Sequence, residues 1–426
     1  MRYLSTAVFL LLAASAPAVA QSTFPNWTTV ATPSRATPPF FHTDILLPSP
    51  NALWVFRYTG VRNTTYRELL SSSDNGQTWE STWNTGLTIV DCSPLDNRHA
   101  WGVSTGNALF YTSTGASGFS QTAAQVPNAQ TVHFFSASTG IVTSMPTAAA
   151  GSWPFYRTTD GGTSWQALTG LPPKGAGEGV QLQARLGTHL WAATSQGHLL
   201  HTADAGQTWV QYTIPENFSG LSFRDVVHGL AYGSGTNRSL YQTTDGGATW
   251  NLVNASGPRY LDLLTAVPGS RSTYLSAALG TGSVGTDYNA CSISYDEGQT
   301  WQNLLVIRTI ETIRSIGANE YGDVWIGMHP DQLLHYTGTA LAAHAANTSQ
   351  LGAAYPNPCL GELQLPAGGN YRRVQVYNMC GRLSFSAVLD ATTTSLNLSN
   401  LPAGLYQLRL DGGKSALLQQ RLVLAR

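Results

Sequence analysis

Apolar positions along this chain fall in short runs that alternate with polar ones, the period of a strand with one buried face. No stretch keeps the spacing of a long amphipathic helix. Turns rich in Gly, Asn, Asp and Pro separate the runs, so the pattern predicts many short strands joined by tight connections. The start of the chain departs from it. Met1-Arg2 supplies a charged beginning, residues 7–14 (AVFLLLAA) an apolar run too short to span a membrane, and Ala18-Val19-Ala20 the small-x-small pattern that a signal peptidase cuts. The expected mature chain begins at Gln21, behind Ala20, and no later apolar stretch is long enough to cross a bilayer.

A repeat organises the alternating runs. The pattern Ser/Thr-x-Asp-x-Gly-x-Thr/Ser-Trp occurs five times: SSDNGQTW ending at Trp79, TTDGGTSW at Trp165, TADAGQTW at Trp209, TTDGGATW at Trp250 and SYDEGQTW at Trp301. The tryptophans are spaced by 86, 44, 41 and 51 residues, the first interval being about two periods, and TSTGASGF ending at Phe119 fills the gap as a degenerate copy. A second landmark precedes each copy inside a short strand: Trp54, Trp101, Ile141, Trp191, Leu230, Tyr274 and Trp325, at intervals of 39 to 51 residues. Seven units, each with room for about four short strands, predict a seven-bladed β-propeller. The seventh unit lacks a fourth strand, and Asn26-Trp27-Thr28-Thr29-Val30, which resembles the segments TWNLV and TWVQY after two of the copies, is expected to supply it and close the ring against edge-strand pairing.

The repeated octapeptide has the chemistry of a turn. Asp and Ser/Thr side chains bond nearby backbone groups, Gly accepts positive φ, and Trp anchors the hairpin in apolar packing. On these motifs the chain resembles the Asp-box (BNR-type) propellers, among them sialidases, sortilin-type receptors, some endoglucanases and photosystem-assembly propellers. The resemblance implies that the box is a fold element on the rim, so Asp74, Asp160, Asp204, Asp245 and Asp296 are expected to be structural, as are Trp79, Trp165, Trp209, Trp250 and Trp301.

After Thr339 the repeat stops, and ALAAHAANTSQLGAA reads as a small-residue linker. GELQL, YRRVQVYN, RLSFSAV, TSLNL, GLYQLRL and QQRLVLA then predict a small immunoglobulin-like β-sandwich. Tyr355-Pro356-Asn357-Pro358, Val376-Tyr377-Asn378-Met379-Cys380-Gly381-Arg382, Leu401-Pro402-Ala403-Gly404-Leu405-Tyr406 and the terminal Arg421-Leu422-Val423-Leu424-Ala425-Arg426 resemble, in that order, the sorting domains of type IX secretion in Bacteroidota. The resemblance implies a Sec-exported precursor carried across the outer membrane by the type IX machinery and then released or held at the surface. The expected divisions are a signal peptide over 1–20, a propeller over 21–338, a linker over 339–353 and a sorting domain over 354–426.

Composition narrows the chemistry. Charged residues make up 11% of the 426 positions, with 22 Lys+Arg against 23 Asp+Glu, and no basic stripe points to nucleic acid. Of the four cysteines, Cys359 and Cys380 fall in one small domain, where pairing is open, whereas Cys92 and Cys291 belong to the second and sixth units and are expected to be separate buried thiols. A sialidase would need an arginine triad, a Tyr-Glu nucleophile pair, an acid Asp and a Phe/Tyr-Arg-Ile-Pro motif, and the motif is absent. The nearest cluster, Arg57, Arg62 and Arg67 with Tyr58 and Tyr66, reads as a solvated outer hairpin. Unboxed acids are Asp44, Asp91, Asp225, Asp262, Glu311, Glu320 and Asp323. Asp91, His133, Arg224, Asp225, Asp262 and Arg314 fall in or near predicted innermost strands and are the candidates for a polar central pocket. Gly280-x-Gly282-x-x-Gly285 has no helix after it and reads as a loop, not a dinucleotide site. His198 and His201 lack a third ligand nearby, so neither metal nor cofactor is expected. The functional expectation is an exported propeller that binds protein or glycan without catalysis; the rival is a glycoside hydrolase with two facing carboxylates.

Overall fold

The computed structural model describes residues 24–337 and 361–424, apart from 25, 34–40, 50, 62–63, 83–86, 105–107, 147, 271, 280–288, 308–310 and 330 in the first span and 366–371, 379–382, 391–392 and 412–416 in the second. The leader with Ala20 and Gln21, Arg62, the side chain of Tyr66, the segment Gly280-x-Gly282-x-x-Gly285, the linker, Cys359 and Cys380 lie outside the described residues. The chain divides into two units, Met1–Thr337 and Gly338–Arg426.

Among the described residues, those between 27 and 336 form seven antiparallel sheets of four strands each. Their first strands are Phe41–Leu46, Ile89–Pro94, Ala129–Phe134, Val180–Leu186, Phe218–Phe223, Leu263–Ala266 and Thr312–Ala318. Thr312–Ala318 packs back against Phe41–Leu46, so the succession of sheets returns on itself, as a propeller must. All seven landmarks lie on second strands and are buried. These strands are covered on both faces by neighbouring sheets, and Gly140–Ser144 and Gly229–Gly233 are buried at every position. The fourth strands, such as Val210–Thr213, are half exposed. Two-sided burial explains why charge is scarce and why landmark strands read as apolar runs. The joints repeat as well. Trp101 stacks on Phe134 of the next sheet at 3.7 Å and donates its indole N–H to Gly161 O; Trp191 stacks on Phe223 at 3.8 Å and donates to Gly246 O.

Trp27–Ala31 pairs with Gln332–Tyr336 as the outermost strand of the seventh sheet, in the register Trp27↔Tyr336 to Ala31↔Gln332, which is the closure the sequence predicts. A charged latch lies beside this seam. Arg57 donates to Glu68 Oε2 (2.8 Å), Asp331 Oδ1 (2.7 Å) and the Pro33 carbonyl (2.9 Å), and Thr32 donates to Asp331 Oδ1 (2.8 Å). The expectation of a solvated hairpin is therefore corrected at Arg57, which is 1% exposed. A buried guanidinium requires partners on all its edges, and here they come from both ends of the propeller segment. Arg67, on the neighbouring strand, is exposed as expected.

The five octapeptide turns share one hydrogen-bond pattern. In the fourth sheet's turn, Thr202 Oγ1 accepts the Gly206 N–H (2.8 Å) and donates to Asp204 Oδ1 (2.9 Å), while Asp204 also accepts the Thr208 N–H (2.9 Å) and hydroxyl (2.6 Å). The central glycines have φ between +79° and +94°, the left-handed region that a Cβ disfavours. Where the second sheet carries the degenerate copy, a 3-10 turn Ala116–Gly118 replaces this network, and the Trp54 indole donates to Asp96 O. Cys92 and Cys291 are free, buried thiols.

In the C-terminal unit, Leu383–Val388, Arg373–Asn378, Gly404–Asp411 and Leu417–Leu424 form one sheet, and Glu362–Gln364 pairs with Ser395–Asn397 in a second. Leu363, Leu396 and Leu398 share a core with Val374, Val376, Tyr406, Leu408, Leu410 and Leu422, so alternate positions of each strand point into one sandwich interior.

Candidate functional site

Six of the seven first strands carry a β-bulge, with register shifts at His42/Asp44, Ile89/Asp91, Ala129/Thr131, Val180/Leu182, Phe218/Gly220 and Ile313/Ser315. A bulge places two residues opposite one and re-aims the side chains around it. In the first two sheets the residue that closes the bulge is an aspartate, Asp44 and Asp91. Both line one cavity of about 410 Å³, together with Phe56, Arg57, Tyr58, Arg67 and Val90.

Asp91 ties three sheets together. Its Oδ2 accepts the Val132 N–H (2.8 Å) and lies 3.4 Å from Arg185 Nη2, and Arg185 also donates to Gln183 Oε1 (3.2 Å). Asp44 is exposed to water at the cavity, and the partial loss of bulk solvent there raises its carboxyl to about 6. The Asp91 charge pushes the same way, and Arg185 and the Ile45 N–H oppose it. His133 is held well below its ordinary value by burial, with Arg185 adding to the effect, and its Nε2 has no hydrogen-bond partner among the described residues. Burial and the nearby Asp91 charge push the Cys92 thiol up.

Of the residues expected in a central pocket, Asp91 lines this cavity and His133 stands close to Arg185 on the first strand of the next sheet. Arg314 lies on the first strand of the seventh sheet, where its Nε donates to Thr312 Oγ1 (3.1 Å), outside the cavity lining. Arg224 and Asp225 sit elsewhere, because their strand ends at Phe223 and they form the following turn. Asp225 accepts the Val227 and His228 N–H groups, and Arg224 pairs with Glu297 (2.6 Å) in the octapeptide turn of the next sheet. Asp262 precedes its strand and is tied to Arg238 (2.6 Å) and the Leu279 N–H (2.9 Å). Arg185 was not singled out from the sequence; its alternation in VQLQARL with Gln183 was the available signal. His198 bonds Glu178 (2.8 Å), whereas His201 stacks on Trp191 and bonds His189.

Residues 353–425, which include the strands of this second unit, match the family model of the secretion system C-terminal sorting domain. The C-terminal unit is a type IX sorting domain. This domain marks the chain for delivery to the cell surface or beyond, through the type IX machinery. Among solved structures, the chain is similar to YCF48 bound to D1 peptide, with 19% identity over 75% of this chain and 99% of that one (TM-score 0.53). It is also similar to YCF48 from Cyanidioschyzon merolae, with 16% identity over 73% and 98% (TM-score 0.52). These likenesses show the β-propeller fold. PorZ of Porphyromonas gingivalis, a surface component of the type IX secretion system, matches at 14% identity over 89% of this chain and 58% of its own (TM-score 0.47). No curated protein matches the chain.

Proposed function

We propose that the exported propeller is a binding module for protein or glycan and that it performs no catalysis. The observation that carries this reading is the state of Asp91: the cavity's inner carboxylate is already engaged by the Val132 N–H and Arg185, so it is an anchored wall group rather than a base poised over a substrate bond. The five boxed aspartates are architectural in this reading, each saturated by its own turn. The bound peptide of the similar YCF48 structure supports a peptide as one kind of ligand. Glycan and peptide arrays probed with the full chain test the proposal. Retained ligands whose signal falls in Asp44→Asn support it; no ligand on either array, or signals indifferent to every cavity substitution, would count against it.

A second reading, glycoside hydrolysis, is favoured by one specific observation. Asp44 is raised to about 6 and shares its cavity with Asp91, and a raised carboxyl beside another carboxylate is the pairing that acid catalysis uses.

A further inference from the structure

We infer that the cavity walled by Asp44, Phe56, Tyr58, Val90 and Asp91 is a recess for a cationic side chain, the guanidinium or ammonium of an arginine or lysine in a peptide segment. The inference deepens the binding reading above and rests on it.

The charges around the cavity point this way. Arg57 lines the recess, but its guanidinium is already engaged by Glu68, Asp331 and the Pro33 carbonyl. The cation that acts on Asp44 and Asp91 is Arg185, which reaches Asp91 at 3.4 Å and is shared with Gln183. Two carboxylates thus divide one arginine, and the Asp91 charge destabilises that of Asp44; an entering cation relieves that repulsion directly. Phe56, Val90 and the half-buried Tyr58 provide apolar wall for a methylene stem, and an aromatic face also attracts the cationic head. The volume of about 410 Å³ lies within the range of small-ligand pockets. Arg67, exposed on the adjoining strand, also lines the recess and is the lining cation that opposes an entering positive charge.

Binding should depend on pH. The titratable and charged groups around Asp44 are Asp91 and Cys92 from the second sheet, Arg185 from the fourth with His133 beside it, and Arg57, Tyr58 and Arg67 from its own; the seventh sheet, which packs against its strand, brings Arg314 and His329. His133 is kept neutral by burial, so Asp44 is the group whose charge changes near pH 6. A cation favours the ionised carboxylate, so affinity falls as pH drops from 7 to 5 and binding releases protons near pH 6.

The test titrates the full chain with Nα-acetyl-arginine amide and Nα-acetyl-lysine amide, with Nα-acetyl-norleucine amide as the uncharged control, by calorimetry and NMR. The cationic probes should bind and the control should not. Asp44→Asn should weaken the cationic probes roughly tenfold or more, Arg67→Glu at its exposed position should tighten them, and Arg98→Ala should leave them unchanged. Thermal melts establish that each variant is folded. Equal binding of the norleucine probe, or unchanged affinity in both Asp44→Asn and Arg67→Glu, overturns the inference. Silence of all three probes while an array ligand is lost in Asp44→Asn overturns it too, and leaves the broader binding reading standing.

Discussion

Arg57 Nη1 lies 2.7 Å from Asp331 Oδ1, across 274 positions of chain. The pair joins the first sheet to a turn of the seventh, and Thr32, just past the closing strand, bonds the same carboxylate. The Arg57 and Glu68 side chains are both fully buried, so removal of the arginine leaves an uncompensated carboxylate in the protein interior. Arg57→Ala should cost about 3–5 kcal/mol in urea unfolding, and Arg57→Met combined with Glu68→Leu should recover much of that loss. A small cost for the single substitution would deny the latch its role.

The octapeptide turns should answer to acid. Asp160 is held at about 2 by the Ser164 hydroxyl and N–H and by Thr158. Its folded value lies below its ordinary value, 3.8, so its contribution to stability is fully present above about pH 4 and is lost as pH falls towards 2. Melts between pH 5 and pH 2 should therefore steepen in the parent relative to Asp160→Asn. At neutral pH, Asp245→Ala should cost about 1 kcal/mol, an amount kept small by solvent exposure, and should leave ligand binding intact.

Asp44 carries the opposite sign. Its folded value, about 6, stands above its ordinary 3.8, so between those two pH values the folded state holds the extra proton and stability declines as pH rises. Asp44→Asn should raise the melting temperature at pH 7.5, with the gain shrinking to nothing below about pH 4. A variant that melts lower at pH 7.5 would show that the carboxylate is stabilised, not penalised, by its surroundings.

Much of the fold was legible because its signals are local. Each landmark from Trp54 to Trp325 sits in a strand buried on both faces, and each octapeptide closes its own network within eight residues, as at Thr202 to Thr208. The closing strand at Trp27 was legible because it copies the segments that follow two of the boxes. The site was not legible to the same degree. Arg57 read as a surface residue because its partner Asp331 is remote in sequence. Arg185 went unmarked because its partner Asp91 lies 94 positions away in sequence, on a strand two sheets earlier. Arg224 and Asp225 read as pocket residues because a strand end one position earlier, at Phe223, leaves no trace in composition.

The sorting domain predicts a separation of folding from delivery. Deletion of residues 354–426 should leave a propeller that melts cooperatively yet stays in the periplasm, as fractionation and surface labelling would show. Both units have cores of their own, so the deletion removes the address and leaves the propeller's packing intact. Surface delivery of the truncated chain would defeat the assignment of that role to the C-terminal unit.

The reading of the propeller as a binder rather than an enzyme is tested most directly by hydrolysis. The full chain and its Asp44→Asn and Asp91→Asn variants are assayed side by side against fluorogenic sialosides and a panel of other aryl glycosides between pH 5 and pH 7. We expect no turnover above the background of the variants. Hydrolysis by the parent that disappears in either variant, while both still melt as folded proteins, would contradict it.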